Sequence, residues 1–395
     1  MNKLEKLIAQ LCPNGVEYKK IKDVYKRLKG TPITAAKMKE IENPDGEIKI
    51  FAGGKTVIDA AEDDIPNANI TRVPAVLVQS RGVIDAIYYD KPFTFKNEMW
   101  AYTADEKLSV KFLYYVLKNN MEYFRTAASG MGSMPQISLS VTEEFTIPLP
   151  PLPVQREIVR ILDNFTELTA ELTAELTARR KQYEYYRTII LTSVQNAETK
   201  KLGDICHFVR GPFGGSLKKE IFTTSGYVVY EQQHAIYGDF KFRYFVDEKK
   251  YEEMKRFAVS PGDLIMSCSG TMGKIAIVPD NVPAGIINQA LLKLTPMPNI
   301  NNKYLKYCFE DSISSQMNAE ARGGAIKNVA SVSELKEIEV QVPSIEEQAR
   351  IVSILDRFDA LCNDLTSGLP AEIKARKKQY EYYRDKLLTF QEAKI

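Results

Sequence analysis

Apolar residues in the middle of the chain recur at alternating steps of three and four positions. The repeat follows a cluster of prolines that ends at Pro153, and neither proline nor glycine occurs between Val154 and Gln195. This spacing places the apolar side chains on one stripe of a helix, as in a coiled-coil seam. We therefore predict a helix of about 40 residues, which would be about 60 Å long. The stripe consists of Ile158, Ile161, Phe165, Leu168, Leu172, Leu176, Tyr183, Tyr186 and Ile190.

The same spacing recurs near the end of the chain. A single long helix with one apolar stripe needs a partner, and this second stretch supplies one. Gly368 and Pro370 interrupt it, so we predict a kink or a restart of the helix there. The second stripe consists of Ile351, Ile354, Phe358, Leu361 and Leu365.

The two stripes belong to a duplication of the chain. Residues 155–165 read QREIVRILDNF and residues 348–358 read QARIVSILDRF, so seven of eleven positions are identical at an offset of 348 − 155 = 193. Residues 178–187 read ARRKQYEYYR and residues 375–384 read ARKKQYEYYR, so nine of ten are identical at 375 − 178 = 197. Weaker matches join KKIKDV (19–24) to KKLGDI (200–205) and VKFLYY (110–115) to NKYLKY (302–307). A period of nearly 200 residues indicates two domain-plus-helix units rather than a solenoid.

The regions between the helices are typical of mixed α and β structure. Runs rich in β-branched and aromatic residues predict strands at Ala75–Gln79, Tyr227–Tyr230 and Asp263–Met266. Helices are expected near Val110–Asn119 and Lys303–Asp311. We thus predict an α+β protein with two mixed α/β domains in tandem, separated by two long helices. The predicted parts are a first domain (1–147), a first helical spacer (148–198), a second domain (199–341) and a second helical spacer (342–395).

The composition is that of a soluble globular protein, with 44% hydrophobic and 26% charged residues. No apolar run is long enough to span a membrane, and the first residues do not resemble a secretory signal. The five cysteines are scattered and never spaced C-x-x-C, which favours reduced thiols and a cytoplasmic location. The net charge is only +2, so any nucleic-acid binding requires basic residues gathered on one face.

The motifs that would indicate catalysis are absent or incomplete. Gly54-Lys55-Thr56 lacks the first glycine of a phosphate-binding loop, because position 49 is Lys49, and we predict a turn there. Gly273-Lys274 fails in the same way and is also expected to be a turn. His207 and His234, the only histidines, have too few neighbouring ligand residues for zinc.

Two acidic motifs have the letters of a metal-dependent nuclease. Pro44-Asp45 with Glu47-x-Lys49 leaves too little chain between its carboxylates for two strands. Pro279-Asp280 with Glu334-x-Lys336 has a possible spacing, but such matches are common by chance. We therefore expect neither a metal site nor a catalytic residue on this chain.

Several loops carry side chains suited to phosphates and base edges. In the second half they surround the glycine-rich turn Gly211–Gly215 and a polar loop after a predicted strand. Any single one of these residues is more often a solvated surface group than a base contact. The candidates are Lys29, Thr31, Lys37, Lys39, Lys55, Gln79, Ser80, Arg81, Lys96, Arg210, Lys218, Lys219, Gln232, Gln233, His234, Lys241, Arg243, Ser267, Ser269, Thr271 and Lys274.

The repeated tyrosine-rich block carries a second stripe beside the seam. Gln182, Tyr185 and Ile189 form this stripe in the first copy, and Gln379 and Tyr382 form it in the second. A pair of helices covers only one seam, so a second aromatic stripe needs a further partner. Packing against the chain's own domains and binding of another protein both remain possible explanations.

The repeated QxxIVxILDxF and RKQYEYYR blocks resemble the conserved helical regions of type I restriction–modification specificity subunits. Residues 260–278 (SPGDLIMSCSGTMGKIAIV) and 328–348 (NVASVSELKEIEVQVPSIEEQ) are similar to the recognition-domain pattern of that family. Gln79-Ser80-Arg81-Gly82 stands in the first domain where the second has Ser267-Cys268-Ser269-Gly270, so the two domains are expected to recognise different sequences.

The resemblance implies a subunit without catalytic activity, in which each domain recognises one half of an interrupted, asymmetric site in double-stranded DNA. It also implies two antiparallel helices that recruit two methyltransferase subunits, to which restriction subunits attach. S-adenosylmethionine, ATP and Mg²⁺ would then belong to the partner subunits. The rival hypotheses are a stand-alone nuclease or methyltransferase, which the absent motifs oppose, and a coiled-coil adaptor that binds only protein.

Overall fold

The computed structural model describes residues 3–128, 134–269, 271, 273–321, 331–364 and 366–393, with the backbone alone for 314–321. The chain forms two compact units. The first is Met1–Thr173 with Glu372–Ile395, and the second is Ala174–Ala371. The boundary at 173 and 174 lies within one continuous helix, so each unit contains a globular domain and parts of the long helices.

The globular domain of the first unit contains short helices and strands that alternate along the chain. The helices are α1 (Lys3–Leu11), α2 (Ile21–Val24), α3 (Ala35–Glu40), α4 (Lys107–Asn119), α5 (Met121–Thr126) and α6 (Leu139–Glu143). The strands are β1 (Glu17–Lys20), β2 (Lys26–Leu28), β3 (Ile48–Phe51), β4 (Val57–Ala60), β5 (Ala75–Gln79), β6 (Asp85–Tyr89), β7 (Phe93–Phe95), β8 (Trp100–Thr103) and β9 (Thr146–Leu149).

Two sheets pack together in this domain. An antiparallel sheet has the order β2-β8-β5-β6, and a second sheet, β4-β3-β7, contains the parallel pair β3 and β7. Val76 and Val78 of β5 pack in one core with α4, whereas Ala75 and Leu77 pack in another with Phe93 of β7. Strand β5 is therefore buried on both faces, which explains its uninterrupted apolar sequence.

The remainder of the chain repeats this plan. It contains α7 (Leu152–Thr192), α8 (Leu202–Ile205), α9 (Gln232–Tyr237), α10 (Glu248–Glu253), α11 (Asn302–Ala321), α12 (Val332–Glu337), α13 (Ile345–Asn363) and α14 (Leu369–Leu388). Its strands are β10 (Glu198–Lys201), β11 (Cys206–Arg210), β12 (Tyr227–Tyr230), β13 (Phe245–Val246), β14 (Ala258–Val259), β15 (Leu264–Ser267), β16 (Ile275–Ile277), β17 (Gly285–Ile287), β18 (Leu291–Pro296) and β19 (Glu339–Val342).

The sheet orders of the second unit correspond to those of the first. Sheet β11-β18-β15-β16 matches β2-β8-β5-β6, and sheet β13-β12-β17-β14 also contains one parallel pair, β12 and β17. The strands predicted at 75–79 and 227–230 are confirmed, and the third is shifted by one residue to Leu264–Ser267. The duplication seen in the helical sequences therefore extends to the globular domains.

The long helices pair within each unit through stacked aromatic rings. In the first unit Phe165 of α7 stacks on Tyr383 of α14, with 5.5 Å between ring centroids. In the second unit Phe358 of α13 stacks on Tyr183 of α7 at 6.3 Å. Arg180, one turn before Tyr183, donates to the carbonyl of Cys362, one turn after Phe358, at 3.3 Å. This order shows that α7 and α13 run antiparallel.

The predicted seam is only partly correct. Leu162 and Leu355 lie outside the predicted stripes, yet both are fully buried. Leu168 and Leu361 belong to the stripes, yet 36% and 41% of their surfaces are exposed. The first turns of α7 and α13 pack into the cores of their own globular domains, where Leu162 shares a cluster with Phe112 of α4. The buried side of each helix start is thus determined by the domain rather than by the other helix.

The second helical stretch breaks where the sequence predicts. Helix α13 ends at Asn363 and α14 begins at Leu369, with Gly368 just before it and Pro370 in its first turn. A Cβ atom on Gly368 would lie 2.4 Å from the Ala360 carbonyl oxygen, so the chain can approach α13 this closely only without a side chain. The predicted seam residue Leu365 lies outside the described residues.

Candidate DNA interface and helical partner surface

Three loops of the second domain converge beside the end of β11. We call them the second loop cluster: residues 210–216, the start of α9 at Gln232, and the described residues 267–269, 271, 273 and 274. Ser269 Oγ donates to Gln232 Oε1 at 3.1 Å, and Gln232 Nε2 donates to the carbonyl oxygens of Ser269 and Thr271. Burial raises the pKa of the Cys268 thiol, and the nearby Arg210 guanidinium opposes that rise. The structure therefore brings Arg210, Gln232, Ser269 and Thr271 together.

Glycine is required where the first of these loops leaves the sheet. Gly211 donates its N–H to the Leu291 carbonyl at 2.9 Å, and a Cβ there would lie 1.9 Å from the Asn288 carbonyl oxygen. In the first domain, Gly30 occupies the matching position after β2, where a Cβ would lie 2.4 Å from the Phe95 carbonyl oxygen. The basic residues that precede these glycines, Lys29 and Arg210, are both exposed. The duplication thus presents a cation at the same place in each domain.

Two candidates of the second domain support the loops from inside. Ser267 is fully buried, and its hydroxyl donates to the Thr271 carbonyl at 2.7 Å. His234 is also fully buried: its Nδ1 accepts from the Glu231 N–H at 2.8 Å, and its Nε2 lies 3.0 Å from the Lys241 carbonyl. These two bonds require a neutral ring with the proton on Nε2. Both side chains are occupied within the protein, so we assign them to loop support instead of DNA contact.

The remaining polar candidates of the second domain differ in their exposure and in whether they pair with other side chains of the protein. Within the described part of the chain, Arg210, Lys218 and Lys219 are exposed and join no ion pair. Arg243 makes a two-pronged contact with Glu231 at 2.9 and 2.8 Å, and this carboxylate raises the pKa of the guanidinium. Lys241 pairs with Asp239, Gln233 donates to Glu231, and Lys274 is exposed.

The first domain has a corresponding group of loops, the first loop cluster: residues 53–55, 80–82 and 96–98. A Cβ on Gly82 would lie 3.5 Å from Gly54 Cα, and one on Gly53 would lie 3.7 Å from the Arg81 carbonyl. Residues 53–55 form one short turn between the antiparallel strands β3 and β4, with φ angles of 78° at Gly54 and 100° at Lys55, so the predicted turn is confirmed. Lys55 and Arg81 are exposed, and Lys96 pairs with Glu98 at 3.1 Å.

Three candidates of the first domain are buried supports. Thr31 shares a 2.6 Å hydrogen bond with Thr94 of β7, and Ser80 donates its hydroxyl to the Glu98 carbonyl. Gln79 is only 3% exposed at the end of β5. Sequence reasoning selected them because they are polar, but burial removes them from any DNA-facing surface. On α3, Lys37 pairs with Glu40 and Lys39 is exposed.

The second stripe of the repeated block is exposed in both copies. Tyr185 and Tyr382 have 64% and 62% of their surfaces exposed, and Ile189 has 37%. Gln182 accepts from Arg179 Nη1 at 3.0 Å, and Gln379 accepts from Arg376 Nη1 at 3.1 Å. Each copy therefore presents the same arrangement, which we call the partner patch. Among the described residues both tyrosine rings of this patch are mostly exposed, which favours binding of another protein over packing against the chain's own domains.

In each copy, polar contacts that the sequence analysis missed join the long helices to a helix of the globular domain. Arg187 Nε lies 3.3 Å from Asp311 Oδ1, and Arg384 Nε lies 2.7 Å from Asn119 Oδ1. Asp163 accepts from Lys111 and Tyr115, and Asp356 accepts from Lys303 and Tyr307 in the same way. The offset of 192 between VKFLYY and NKYLKY could have predicted these matching contacts.

No cluster of three or more potential metal ligands occurs within the described residues. Of the nuclease-like motif, Glu47 accepts from the Glu62 backbone N–H and Lys49 pairs with Asp59. Among the helices that the structure describes, none combines the length and apolarity needed to cross a membrane.

Comparison with known proteins agrees with this duplicated architecture. A family model described as the type I restriction modification DNA specificity domain matches residues 13–179 and 195–375. The specificity subunit of the Escherichia coli enzymes EcoR124I and EcoR124II is 35% identical over 298 residues, which is 72% of each chain. A putative specificity subunit of Haemophilus influenzae, S.HindORF215P, is 34% identical over 325 residues, covering 75% of this chain and 77% of the relative.

Two solved structures share the fold. The S subunit of a type I restriction–modification system from M. genitalium has a TM-score of 0.55 at 19% identity, covering 95% of this chain and 96% of that one. A chain solved in work on assembly and conformational transition of the type I system has a TM-score of 0.60 at 16% identity, with 95% and 98% coverage.

Two matching domains, each with its own loop cluster and helical arm, define a duplicated recognition protein without a visible catalytic centre among the described residues. The chain belongs to the family of type I restriction–modification DNA specificity subunits.

Proposed function

We propose that each globular domain recognises one half of an interrupted, asymmetric target in double-stranded DNA. The supporting observation is that two domains share one scaffold but differ in their loops. The first loop cluster presents the cations Lys55 and Arg81, whereas the second adds the exposed hydroxyl residues Ser269 and Thr271 to the cations Arg210 and Lys274. Arginine and lysine suit the acceptor edge of guanine, while amides and hydroxyls suit other bases. The two half-sites should therefore differ in sequence.

The partner patches are proposed to recruit two methyltransferase subunits, one on each copy. Exposed aromatic rings that repeat in sequence and in local contacts favour two identical partners over two different ones. Restriction subunits would join through the methyltransferases, and S-adenosylmethionine, ATP and Mg²⁺ would bind to these partners. Such a complex would act on DNA in the cytoplasm.

This chain is proposed to carry no catalytic group of its own. The sequence contains neither a complete phosphate-binding loop nor the Asn-Pro-Pro-aromatic tetrapeptide of amino-methyl transfer, which supports this part of the proposal. The purified chain should neither methylate nor cleave DNA with any of these cofactors. Turnover by a preparation free of partner subunits would overturn it and favour the stand-alone enzyme.

The test is methylation mapping in a host that lacks other DNA methylation. Expression with the cognate methyltransferase subunits should methylate one motif with two defined halves and a fixed gap. Methyltransferase subunits expressed alone serve as the control and should leave the motif unmodified. A complex that assembles but shows no sequence preference would instead support the adaptor hypothesis.

A further inference from the structure

Phe213 is the most exposed large apolar side chain of the described residues. Its surface is 92% exposed, compared with 78% for Tyr237, the next in rank. Single exposed apolar residues are common and need no explanation by themselves. The setting of Phe213 is what distinguishes it, because both faces of its ring are open at the tip of a loop in the second loop cluster.

The loop that carries Phe213 is held tightly at its base. Gly211 lies against the backbone of Asn288, and Pro212, which directly precedes the ring, is buried. Ser216 donates its N–H to the Phe213 carbonyl at 2.8 Å, which closes the loop after the ring. A short loop closed on both sides presents its side chain with little conformational entropy left to lose on binding.

The residues around the ring are cationic. Arg210 precedes the loop, Lys218 and Lys219 follow it, and none of the three joins an ion pair within the described part of the chain. Unpaired cations on both sides of an apolar tip suit a partner with phosphates flanking an apolar interior. By contrast, Tyr237 carries a hydroxyl and is followed by Asp239, which favours water over a polyanion.

We propose that Phe213 inserts between two base pairs of the half-site bound by the second domain, while Arg210, Lys218 and Lys219 hold the adjacent phosphates. The ring buries the most apolar surface when both of its faces are covered. A gap between two stacked base pairs covers both faces, whereas a thymine methyl group covers only part of one. Apolar side chains that act as wedges partly unstack and bend the duplex. The residue matching Phe213 in the first domain, at 213 − 181 = 32, is Pro32, so an aromatic wedge is specific to the second domain.

This inference rests on the proposed function, and one assay separates the two. The full chain is assembled with its methyltransferase subunits, and 2-aminopurine replaces in turn each adenine, on either strand, of the mapped half-site and its flanking base pairs. Methyltransferases extrude their target base, so fluorescence at the methylated adenine is expected in every active complex. Insertion of Phe213 predicts that fluorescence also rises at one other base-pair step. Phe213→Ser should abolish this second rise, while the fluorescence at the methylated adenine remains. Phe213→Leu should retain the second rise, because leucine is also an effective wedge.

Affinity measurements supply the matched controls. Phe213→Ser should weaken binding to the target about tenfold, the order of one lost base–aromatic contact, with an unchanged salt dependence. Combined Lys218→Ala and Lys219→Ala should reduce the salt dependence but leave the second rise in place. The proposed insertion is overturned if the wild-type complex shows no second rise in fluorescence. It is also overturned if replacing thymine by uracil in the target weakens binding as much as Phe213→Ser does. Absence of any sequence-specific methylation by wild type would instead overturn the proposed function.

Discussion

Arg187 Nε lies 3.3 Å from Asp311 Oδ1, and the two side chains are only 11% and 12% exposed. Thr188 donates to the same carboxylate oxygen at 2.7 Å, so Asp311 fastens α7 to α11 within the second unit. In the first unit the corresponding Arg384 contacts the neutral Asn119 on the facing helix, and it also pairs with Asp385 on its own helix. The fold therefore tolerates either an ion pair or a neutral acceptor at this place.

Removing the acceptor at position 311 should destabilise the second unit. Asp311→Ala leaves a mostly buried guanidinium without its carboxylate partner, which costs about 3–5 kcal/mol in comparable pairs. Asp311→Asn reproduces the contact of the first unit and should cost less than half as much. Urea unfolding of both variants, compared with wild type, measures the difference. Equal losses from alanine and asparagine would show that charge, not an acceptor, is required.

The stability of the first unit should depend on acid through Glu157. Hydrogen bonds from Arg160 and Lys3 lower the pKa of Glu157 to about 2. Its unfolded pKa is near the ordinary value of about 4.3, so the folded state holds fewer protons. The resulting stabilisation is present above that value and is lost as pH falls toward 2. Because Arg160 and Lys3 are exposed to solvent, we expect about 1–2 kcal/mol.

Glu157→Gln tests this dependence. The variant should be less stable than wild type at pH 7, and the difference should shrink steadily as the pH falls from about 4 toward 2. Glu347→Gln is the control, because its pair with Arg350 is more exposed and should contribute little. Unfolding midpoints measured from pH 7 to pH 2.5 give the comparison. A difference between Glu157→Gln and wild type that is as large at pH 2.5 as at pH 7 would contradict the assignment.

The sequence predicted the duplication well because it rests on identical residues at constant offsets. It predicted Phe165 and Phe358 as helix contacts, but it missed Leu162 and Leu355, because a stripe does not reveal which neighbour it faces. DNA candidates chosen by polarity included His234, which is buried. Burial of a polar side chain depends on packing between distant segments, which local spacing does not encode. An isolated phenylalanine such as Phe213 has no periodic signal at all.

The partner patches should control assembly more than DNA specificity. Polar replacement of both Tyr185 and Tyr382 removes exposed aromatic surface without touching either loop cluster, so methyltransferase binding should weaken while the methylated motif stays the same. Tyr123→Ser is the control, since this tyrosine is 50% exposed but lies outside the repeated block. Native mass spectrometry gives the stoichiometry. An intact complex with altered half-sites would show that these faces are wrongly assigned.

Exchange of the second domain should change one half of the target. Strands β10 and β19 pair antiparallel, with Lys200 opposite Val340, so the domain begins and ends at neighbouring positions. Replacing residues 200–340 with another recognition domain therefore keeps the join to α7 and α13 intact. Methylation mapping should show a new second half-site and an unchanged first. Loss of specificity at both halves would count against independent recognition.

The remaining prediction concerns the repeat in the middle of α7. Residues 169–172 read TAEL, residues 173–176 repeat it, and 177–178 begin it again. The blocks are separated by 12 residues (166–177) in the first copy and 16 (359–374) in the second, a difference of one such unit. Helix α7 is continuous through this segment, and none of the side chains from 166 to 177 is buried. An insertion here therefore disturbs no core.

Inserting one further TAEL should lengthen the gap between the two half-sites by one base pair. Four helical residues add about 6 Å and about 400° of rotation, or 40° beyond a full turn. One base-pair step of B-DNA advances about 3.4 Å and turns about 34–36°. A recognition domain that is rotated out of register with the DNA groove is harder to accommodate than one displaced slightly along the helix axis. The added rotation should therefore determine the length of the new gap. Replacing residues 169–172 with four alanine-rich helical residues is the control and should leave the gap unchanged, as methylation mapping would reveal. The insertion leaves both recognition domains unchanged. An active variant that keeps the original gap would therefore show that α7 does not set the spacing.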